Sequence, residues 1–302
     1  MPADRGPMRI GTRGSPLAVA QARWVAQGLR AELAFDPVEI VEITTSGDRG
    51  ERPLDKARWT SELERALLEG RIDVAVHSAK DVPAELAPGT ELAAIPKRED
   101  PSDVLCGAVS LASLPEGARV GTSSLRRAAQ LRALRDDLRI VDLRGNVDTR
   151  LRKLAAGEAD ALVLAAAGLR RLERFSEAGG VLPELVPAPG QGALALQTRA
   201  GEAYAVRALA DLGAEACVLA EREFARGVGA SCNTPVGALA TLTASDVVEL
   251  RAWIGLPDGT EWISDCAAGG AAEVGSIVAE RTISVGARDL LSRAERLAEA
   301  GR

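Results

Sequence analysis

The sequence predicts an α/β protein of two similar lobes followed by a small α+β domain. Three observations predict it. The first is a repeat: "RIGTRGSPLAVAQ", from Arg9, is matched by "RVGTSSLRRAAQ", from Arg119. Both read as a short strand ending in Gly-Thr, a loop of small residues and an Ala/Leu-rich helix. The second is another matched pair in the same order, "LLEGRIDVAVHSAKD" (67–81) and "LAAGEADALVLAAAG" (154–168). Aligning Gly70 with Gly157 brings Asp73 onto Asp160, each Asp preceding an apolar strand. A helix, a glycine and a short apolar strand form the unit of a sheet covered by helices on both faces. The third is a change of pattern after about Ala214, where alternating segments replace this unit.

Taken in order, 9–21 and 67–81 give strands and helices of the first lobe. Residues 119–130 and 154–168 give the same parts of a shortened second lobe. The segment "PAPGQGALALQTR" (187–199), with two prolines and two glycines, reads as a hinge returning from the second lobe. In the tail, "AEACVLAEREFARG" reads as a helix, and "GVGASCNTPVGALA" (227–240) as a loop of small residues holding the single thiol of Cys232. "VVELRAWIG" and "EWISDCAAGG" alternate as strands do, and "LPDG" between them is a hairpin turn. An amphipathic helix from about Gly286 to Ala300 ends the chain. The boundaries expected are 8–98 with 191–211 for lobe 1, 99–188 for lobe 2 and 214–302 for the third domain, which is near the size floor for independent folding.

Composition narrows the function classes. The 302 residues are 46% apolar and 26% charged, ordinary for a globular protein, and with 3% aromatics the core volume must come from aliphatic residues. No run approaches the roughly 18 apolar residues of a membrane helix, and the first residues carry no hydrophobic signal segment, so a cytoplasmic location and no membrane partner are expected. Cys106, Cys217, Cys232 and Cys266 form no CxxC pair, which favours a reducing compartment. With one histidine, His77, and no clustered cysteines, no metal site is expected. The net charge of −6 speaks against nucleic acid as a partner.

The arginines are nevertheless concentrated in "SSLRRAAQLRALR" and "LRGNVDTRLRKL". In α/β sheets ligands sit beyond the carboxyl ends of the strands. That rule selects four loops, 11–15, 77–81, 121–127 and 165–171, which should look into a cleft between the lobes. Thr122, Ser123 and Ser124 are natural caps, and the helix they start offers free N–H groups and a positive dipole end. Arg126 and Arg127 follow in its first turn, where the dipole favours acids, so an anion shared with the helix end is expected. Arg13, Arg144, Arg150 and Arg171 lie at or near the same loops. Guanidinium groups bind carboxylate or phosphate bidentately. Lys80 and Asp81 follow directly after a buried strand, and Pro83 stiffens their exit; a carboxylate among so many cations could hold a cationic intermediate or a ring N–H. His77 reads as a satisfied, partly buried imidazole.

These stretches together resemble one family, the porphobilinogen deaminases, also called hydroxymethylbilane synthases, of tetrapyrrole biosynthesis. The resembling segments are "RIGTRGSPLA", "DVAVHSAKDVP", "GTSSLRRAAQL", "LRGNVDTRL", "LVLAAAGLRRL", "PAPGQGALA" and the Cys232 loop, in the family's order over most of the chain. The resemblance implies two periplasmic-binding-protein-like (type II) lobes with a cleft, plus a small α+β C-terminal domain. It implies a transferase that condenses four porphobilinogen molecules head to tail with loss of ammonia, on a covalently attached dipyrromethane primer, and then releases the linear tetrapyrrole by hydrolysis. Cys232 would carry the dipyrromethane cofactor through a thioether, a bond suited to a soft nucleophile meeting an electrophilic methylene. Asp81 would be the catalytic carboxylate, bonded to the pyrrole N–H and stabilising the cation formed on deamination. Lys80, Asp81, Thr122, Ser123, Ser124, Arg126, Arg127 and Arg144 would hold the cofactor, and Arg13, Ser15, Arg150 and Arg171 the acetate and propionate groups of the substrate. A monomer is expected, with porphobilinogen its partner.

Two features depart from the family. Where a glycine-rich lid ending in an aromatic residue is usual, this chain has "ERPLDKARW", shorter and without those glycines, and Trp59 stands where Phe is common. Segment 48–59 therefore reads as an altered gate. Asp148 adds an acid among cationic positions. The alternative from another class is a non-catalytic two-lobed binding or sensor module for a small polycarboxylate. A nucleic-acid binder using the arginine blocks would show a steep salt dependence.

Overall fold

The structure is a computed structural model and describes residues 7–33, 37–45, 57–231, 234–244 and 247–300. It divides into two compact units, Met1–Glu99 with Ala193–Glu215, and Asp100–Gly192 with Ala216–Arg302.

In the first unit, strand β1 (Met8–Thr12) leads into helix α1 (Pro16–Leu33). Ser15 caps that helix: its Oγ accepts from the Ala18 N–H at 3.3 Å, and Pro16 takes the first helical position, where a missing N–H costs nothing. Then come β2 (Val38–Glu42), α2 (Ala57–Leu68), β3 (Val74–Ser78) and β4 (Thr90–Ala94), and from the returning chain β10 (Leu194–Arg199). The strand order is β2-β1-β3-β10-β4, with β1 parallel to β2 and β3, and β10 antiparallel to β3 and β4. Side chains alternate across the sheet. Val74 and Val76 pack with Ala22, Val25, Ala26 and Leu29 of α1, while Ala75 packs with Leu63, Ala66 and Leu67 of α2. Helices thus cover both faces.

The second unit repeats this plan. Its strands are β5 (Asp103–Cys106), β6 (Arg119–Gly121), β7 (Arg139–Val141), β8 (Ala161–Ala165) and β9 (Gly180–Val181); its helices are α3 (Leu125–Leu134), α4 (Val147–Ala155) and α5 (Ala166–Arg171). The order β7-β6-β8-β5-β9 matches the first sheet strand for strand, including the antiparallel fourth member. In both sheets that member comes from chain adjoining a crossing between the units, β10 in the first and β5 in the second.

The sequence repeat is a repeat of bonds. The Arg9 N–H and guanidinium donate to both oxygens of Asp73, at 2.9, 3.1 and 2.8 Å. The Arg119 N–H and guanidinium do the same to Asp160, at 2.7, 3.3 and 2.7 Å. Gly70 and Gly157, which precede the two acids, have φ of 66° and 76°, the left-handed conformation that ends each helix.

Helix α6 (Leu212–Val228) opens the tail, followed by β11 (Val236–Ala244), β12 (Val247–Gly255), β13 (Trp262–Gly270), α7 (Val274–Ser284) and α8 (Ala287–Ala300). The three strands form an antiparallel sheet in chain order. Val248, Leu250, Ala252 and Ile254 alternate onto a core with Phe224, Val278 and the α8 stripe Ala287, Leu290, Leu291 and Ala294. Two expectations are corrected here. The loop expected over 227–240 becomes strand at Val236, and α7 was not anticipated. The tail sheet is docked within the second unit. The Glu221 carboxylate, fully buried, accepts from the Gly190 N–H at 2.6 Å and the Ala240 N–H at 2.7 Å, and Arg132 donates to the Pro257 carbonyl at 2.7 Å. The expected class, two α/β lobes and a small α+β domain, is what these sheets show. No helix among the described residues is long and apolar enough to cross a membrane.

Candidate functional site

Loops 11–15 and 77–81 leave the carboxyl ends of the adjacent parallel strands β1 and β3. They meet around a cavity of about 80 Å³ whose wall includes Arg13, Ser15, Gln21, Thr60, His77 and Asp81. Lys80 and Asp81 stand on a single 3-10 turn, Ala79–Asp81, fixed at one end by the Ala79 N–H donating to the Ala193 carbonyl at 3.0 Å and closed by Val82 N–H to the Ala79 carbonyl at 3.2 Å. Both side chains are half-buried. The Asp81 carboxylate takes no hydrogen bond and no ion pair from any described residue. A partly desolvated acceptor without a partner is available to a ligand. Gln21 ties α1 to the end of β3 through Nε2 donating to Ser78 Oγ at 3.0 Å.

His77 is 5% exposed, and its Nε2 lies 3.0 Å from Gln197 Oε1. Burial pushes its pKa down to about 4, against the opposing pull of the Gln197 bond and the charges of Glu64 and Asp81; Arg13 pushes the same way as burial. The ring is neutral and satisfied at that nitrogen, as the sequence suggested, though more fully buried.

In the second unit, loops 121–127 and 165–171 leave the carboxyl ends of the parallel strands β6 and β8. The cap of α3 falls to Ser124, whose Oγ accepts from the Arg127 N–H at 3.4 Å. Thr122 Oγ1 accepts from the Ser124 N–H at 3.2 Å, and Ser123 Oγ from Arg150 Nη2 at 3.0 Å. Each of these three hydroxyls accepts locally and keeps its own O–H to donate. The Arg150 Nε is buried without a partner among the described residues. Burial and the charge of Arg127 lower the Arg150 pKa, partly offset by Asp142. Arg171 donates Nη2 to the Gly192 carbonyl at 2.7 Å, and the exposed Arg144 pairs with Asp142 at 2.8 Å.

Arg126 and Arg127 already face an anion that the chain itself supplies: Asp103, at 0% exposure. Arg126 Nη1 reaches Asp103 at 2.7 Å, Arg127 Nε and Nη2 at 2.9 and 2.7 Å, and Gln191 Nε2 at 2.9 Å. Burial alone would raise the Asp103 pKa, but the two guanidinium charges and their hydrogen bonds hold it well below the carboxylate range. The group still carries one net positive charge, and the Arg126 Nε is buried and unbonded. Sequence reasoning missed both Asp103 and Gln191; the one available signal was a lone acid opening the apolar strand "DVLC". Asp148 finds its explanation as well. It lies in the first turn of α4, where an acid suits the dipole, and accepts from Arg174 Nη1 at 2.7 Å.

Cys232 and segment 48–56 lie outside the described residues; Trp59 falls in the first turn of α2, and its side chain is likewise outside the description. For a ligand bearing acetate and propionate groups, the donors around the start of α3 are a fitting set: three hydroxyls, two guanidiniums whose Nε is buried and unbonded among the described residues, and a helix N-terminus.

Comparison with known proteins adds the following. A family model described as "Porphobilinogen deaminase, dipyromethane cofactor binding domain" matches residues 8–207, and one described as "Porphobilinogen deaminase, C-terminal domain" matches 215–283. A curated porphobilinogen deaminase of Deinococcus deserti is 50% identical over 293 residues, covering 90% of this chain and 92% of its own. That of Thermus thermophilus is 44% identical over 302 residues, covering 94% and 98%. Among solved structures, the periplasmic VFT2 domain of Bordetella pertussis BvgS is similar at TM-score 0.42 and 17% identity, over 69% of this chain and 88% of that one.

Proposed function

The chain belongs to the porphobilinogen deaminase family, and on that premise we propose that it is a hydroxymethylbilane synthase, a transferase that joins four porphobilinogen molecules head to tail with loss of four ammonia molecules and uses one water to release the linear tetrapyrrole. The observation that carries the reading is Asp81: a half-buried carboxylate without a partner among the described residues, in the wall of a cavity it shares with Arg13. Asp81 accepts the pyrrole N–H of porphobilinogen and stabilises the positive charge that develops on the ring as ammonia departs with the C–N electron pair. Because its turn is held to Ala193, the residue before β10, it meets that charge with little reorganisation. Arg13 and Ser15 bind substrate carboxylates at the same cavity.

Dipyrromethane, held by Cys232 as a thioether, supplies the pyrrole α-carbon on which the new bond is made. In the second unit, Thr122, Ser123 and Ser124 donate hydroxyl protons to its carboxylates, with Arg126, Arg127 and Arg144, while Arg150 and Arg171 serve the incoming substrate. Lys80 adds a cation beside Asp81. The donors left over once Asp103 has matched part of the charge support this assignment. A cytoplasmic location accords with the free thiols of Cys106 and Cys266. We take the enzyme to be a monomer acting without nucleic acid or membrane.

The test is Asp81→Asn. It keeps the shape and removes the charge, so turnover of porphobilinogen is expected to fall at least about a hundredfold with thermal stability unchanged. Turnover within twofold of the parent would refute the role given to Asp81.

A further inference from the structure

The proton positions around His77 are fixed by its neighbours one at a time. Thr90 Oγ1 donates its only proton to the Ala87 carbonyl at 2.7 Å. It must therefore accept from Gln197 Nε2, which lies 2.8 Å away. The second Gln197 Nε2 proton goes to Glu64 Oε1 at 2.9 Å, an oxygen that also accepts from the Ala87 N–H at 3.1 Å. The reversed amide would set Gln197 Oε1 against a carboxylate oxygen, so its orientation is determined. Gln197 then faces His77 with its carbonyl oxygen, and the imidazole Nε2 must carry the hydrogen in the 3.0 Å contact. A neutral ring protonated at Nε2 has a lone pair at Nδ1. No described residue bonds that nitrogen, and His77 is part of the wall of the cavity that contains Asp81.

We propose that His77 Nδ1 is a second acceptor of the Asp81 cavity, held ready by Gln197, Thr90 and Glu64, and that it takes an N–H of the substrate, the protonated aminomethyl group or the pyrrole N–H. The inference rests on the reading of the cavity as the porphobilinogen site. The groups facing the ring come from every side: Glu64 from α2, Asp81 from the turn after β3 and Arg13 from the loop after β1. A fixed neutral acceptor beside a carboxylate suits a cationic donor. It binds the ammonium without competing for its proton, and leaves the charge of Asp81 for the ring.

The chain has one histidine, so nitrogen NMR of protein labelled at that residue has no overlap to resolve. In the unliganded enzyme at pH 7, Nε2 is expected to be protonated and Nδ1 not, with the ring uncharged down to about pH 5. A charged ring at pH 7, or the Nδ1–H form, overturns the proposal. Adding porphobilinogen is expected to shift the Nδ1 resonance, and the same pyrrole without its aminomethyl group separates the two donors: no shift identifies the ammonium, a retained shift the ring N–H. No Nδ1 change with either compound, in enzyme that turns over porphobilinogen, overturns the proposal. Enzyme that neither takes up nor converts porphobilinogen refutes the function proposed above and with it the ligand named here, while the unliganded spectrum still decides the tautomer. Gln197→Leu is expected to give a mixed-tautomer spectrum and a roughly tenfold rise in KM with kcat little changed, about one hydrogen bond's worth. A single unchanged tautomer with unchanged KM would contradict the positioning role of Gln197.

Discussion

Replacing Asp103 by Asn is expected to be among the most destabilising conservative changes in the second unit. The carboxylate is fully buried and receives four hydrogen bonds, three from guanidiniums that are themselves about 5% exposed. Asn keeps one acceptor oxygen but turns an N–H₂ toward Arg126 or Arg127 and leaves two buried cations without a counter-charge. Breaking a buried ion pair by removing one partner costs about 3–5 kcal/mol. For a cooperative unit of this size that lowers the melting temperature by roughly 6–20 °C. The assay is thermal unfolding followed by circular dichroism at neutral pH, with Asp160→Asn as the control. Asp160 makes a geometrically similar pair with Arg119, but one open to solvent, so its loss should cost much less. An Asp103→Asn shift no larger than that of Asp160→Asn would refute the reading of Asp103 as the internal anion.

Two further predictions concern stability. Gly259, at φ 78°, sits in the β12–β13 turn with an added Cβ only 2.6 Å from Ala133 N and 2.8 Å from Ala129 O of α3. Gly157, at φ 76°, has nothing within 4 Å. Both Ala variants carry the left-handed backbone cost of about 1 kcal/mol, but Gly259→Ala must also push the turn off α3, and denaturant unfolding should show it losing at least about twice as much; equal losses would contradict that docking. For His77, the unfolded chain takes up a proton near pH 6.5 whereas the folded ring resists until about 4. Stability is therefore unaffected above about pH 6.5 and falls as pH drops from there to about 4, by about 3 kcal/mol. His77→Gln should flatten the pH dependence of unfolding free energy in that window. The stability Asp103 contributes is present above about pH 4 and is lost only below it, so the two effects separate.

The repeat was legible because each copy pairs a strand-opening arginine with an acid after a glycine, and those spacings survive the shortening of the second lobe. Loops 11–15 and 77–81 were legible as partners because parallel neighbours end at the same edge of a sheet. Asp103 was not, since its partners lie 23, 24 and 88 residues away and its own strand is otherwise an apolar run. For the same reason Gln197 looked like an ordinary strand residue, although it joins Glu64 and His77 across 133 and 120 residues. Helix α7 was hidden by its composition. "VGSIVAERTIS" is rich in β-branched residues with low helix propensity, and it forms because Val274, Val278 and Thr282 recur at the spacing that buries one face. Strand β11 was hidden by continuity, running on from a loop of small residues with no break in composition.

The most direct test of the whole scheme is the intact mass of the purified protein beside that of Cys232→Ala. A covalent addition of two pyrrole units on the parent, absent from the variant, is the predicted result. A folded parent whose mass stays unmodified after incubation with porphobilinogen, or an addition that survives loss of the Cys232 thiol, would contradict it.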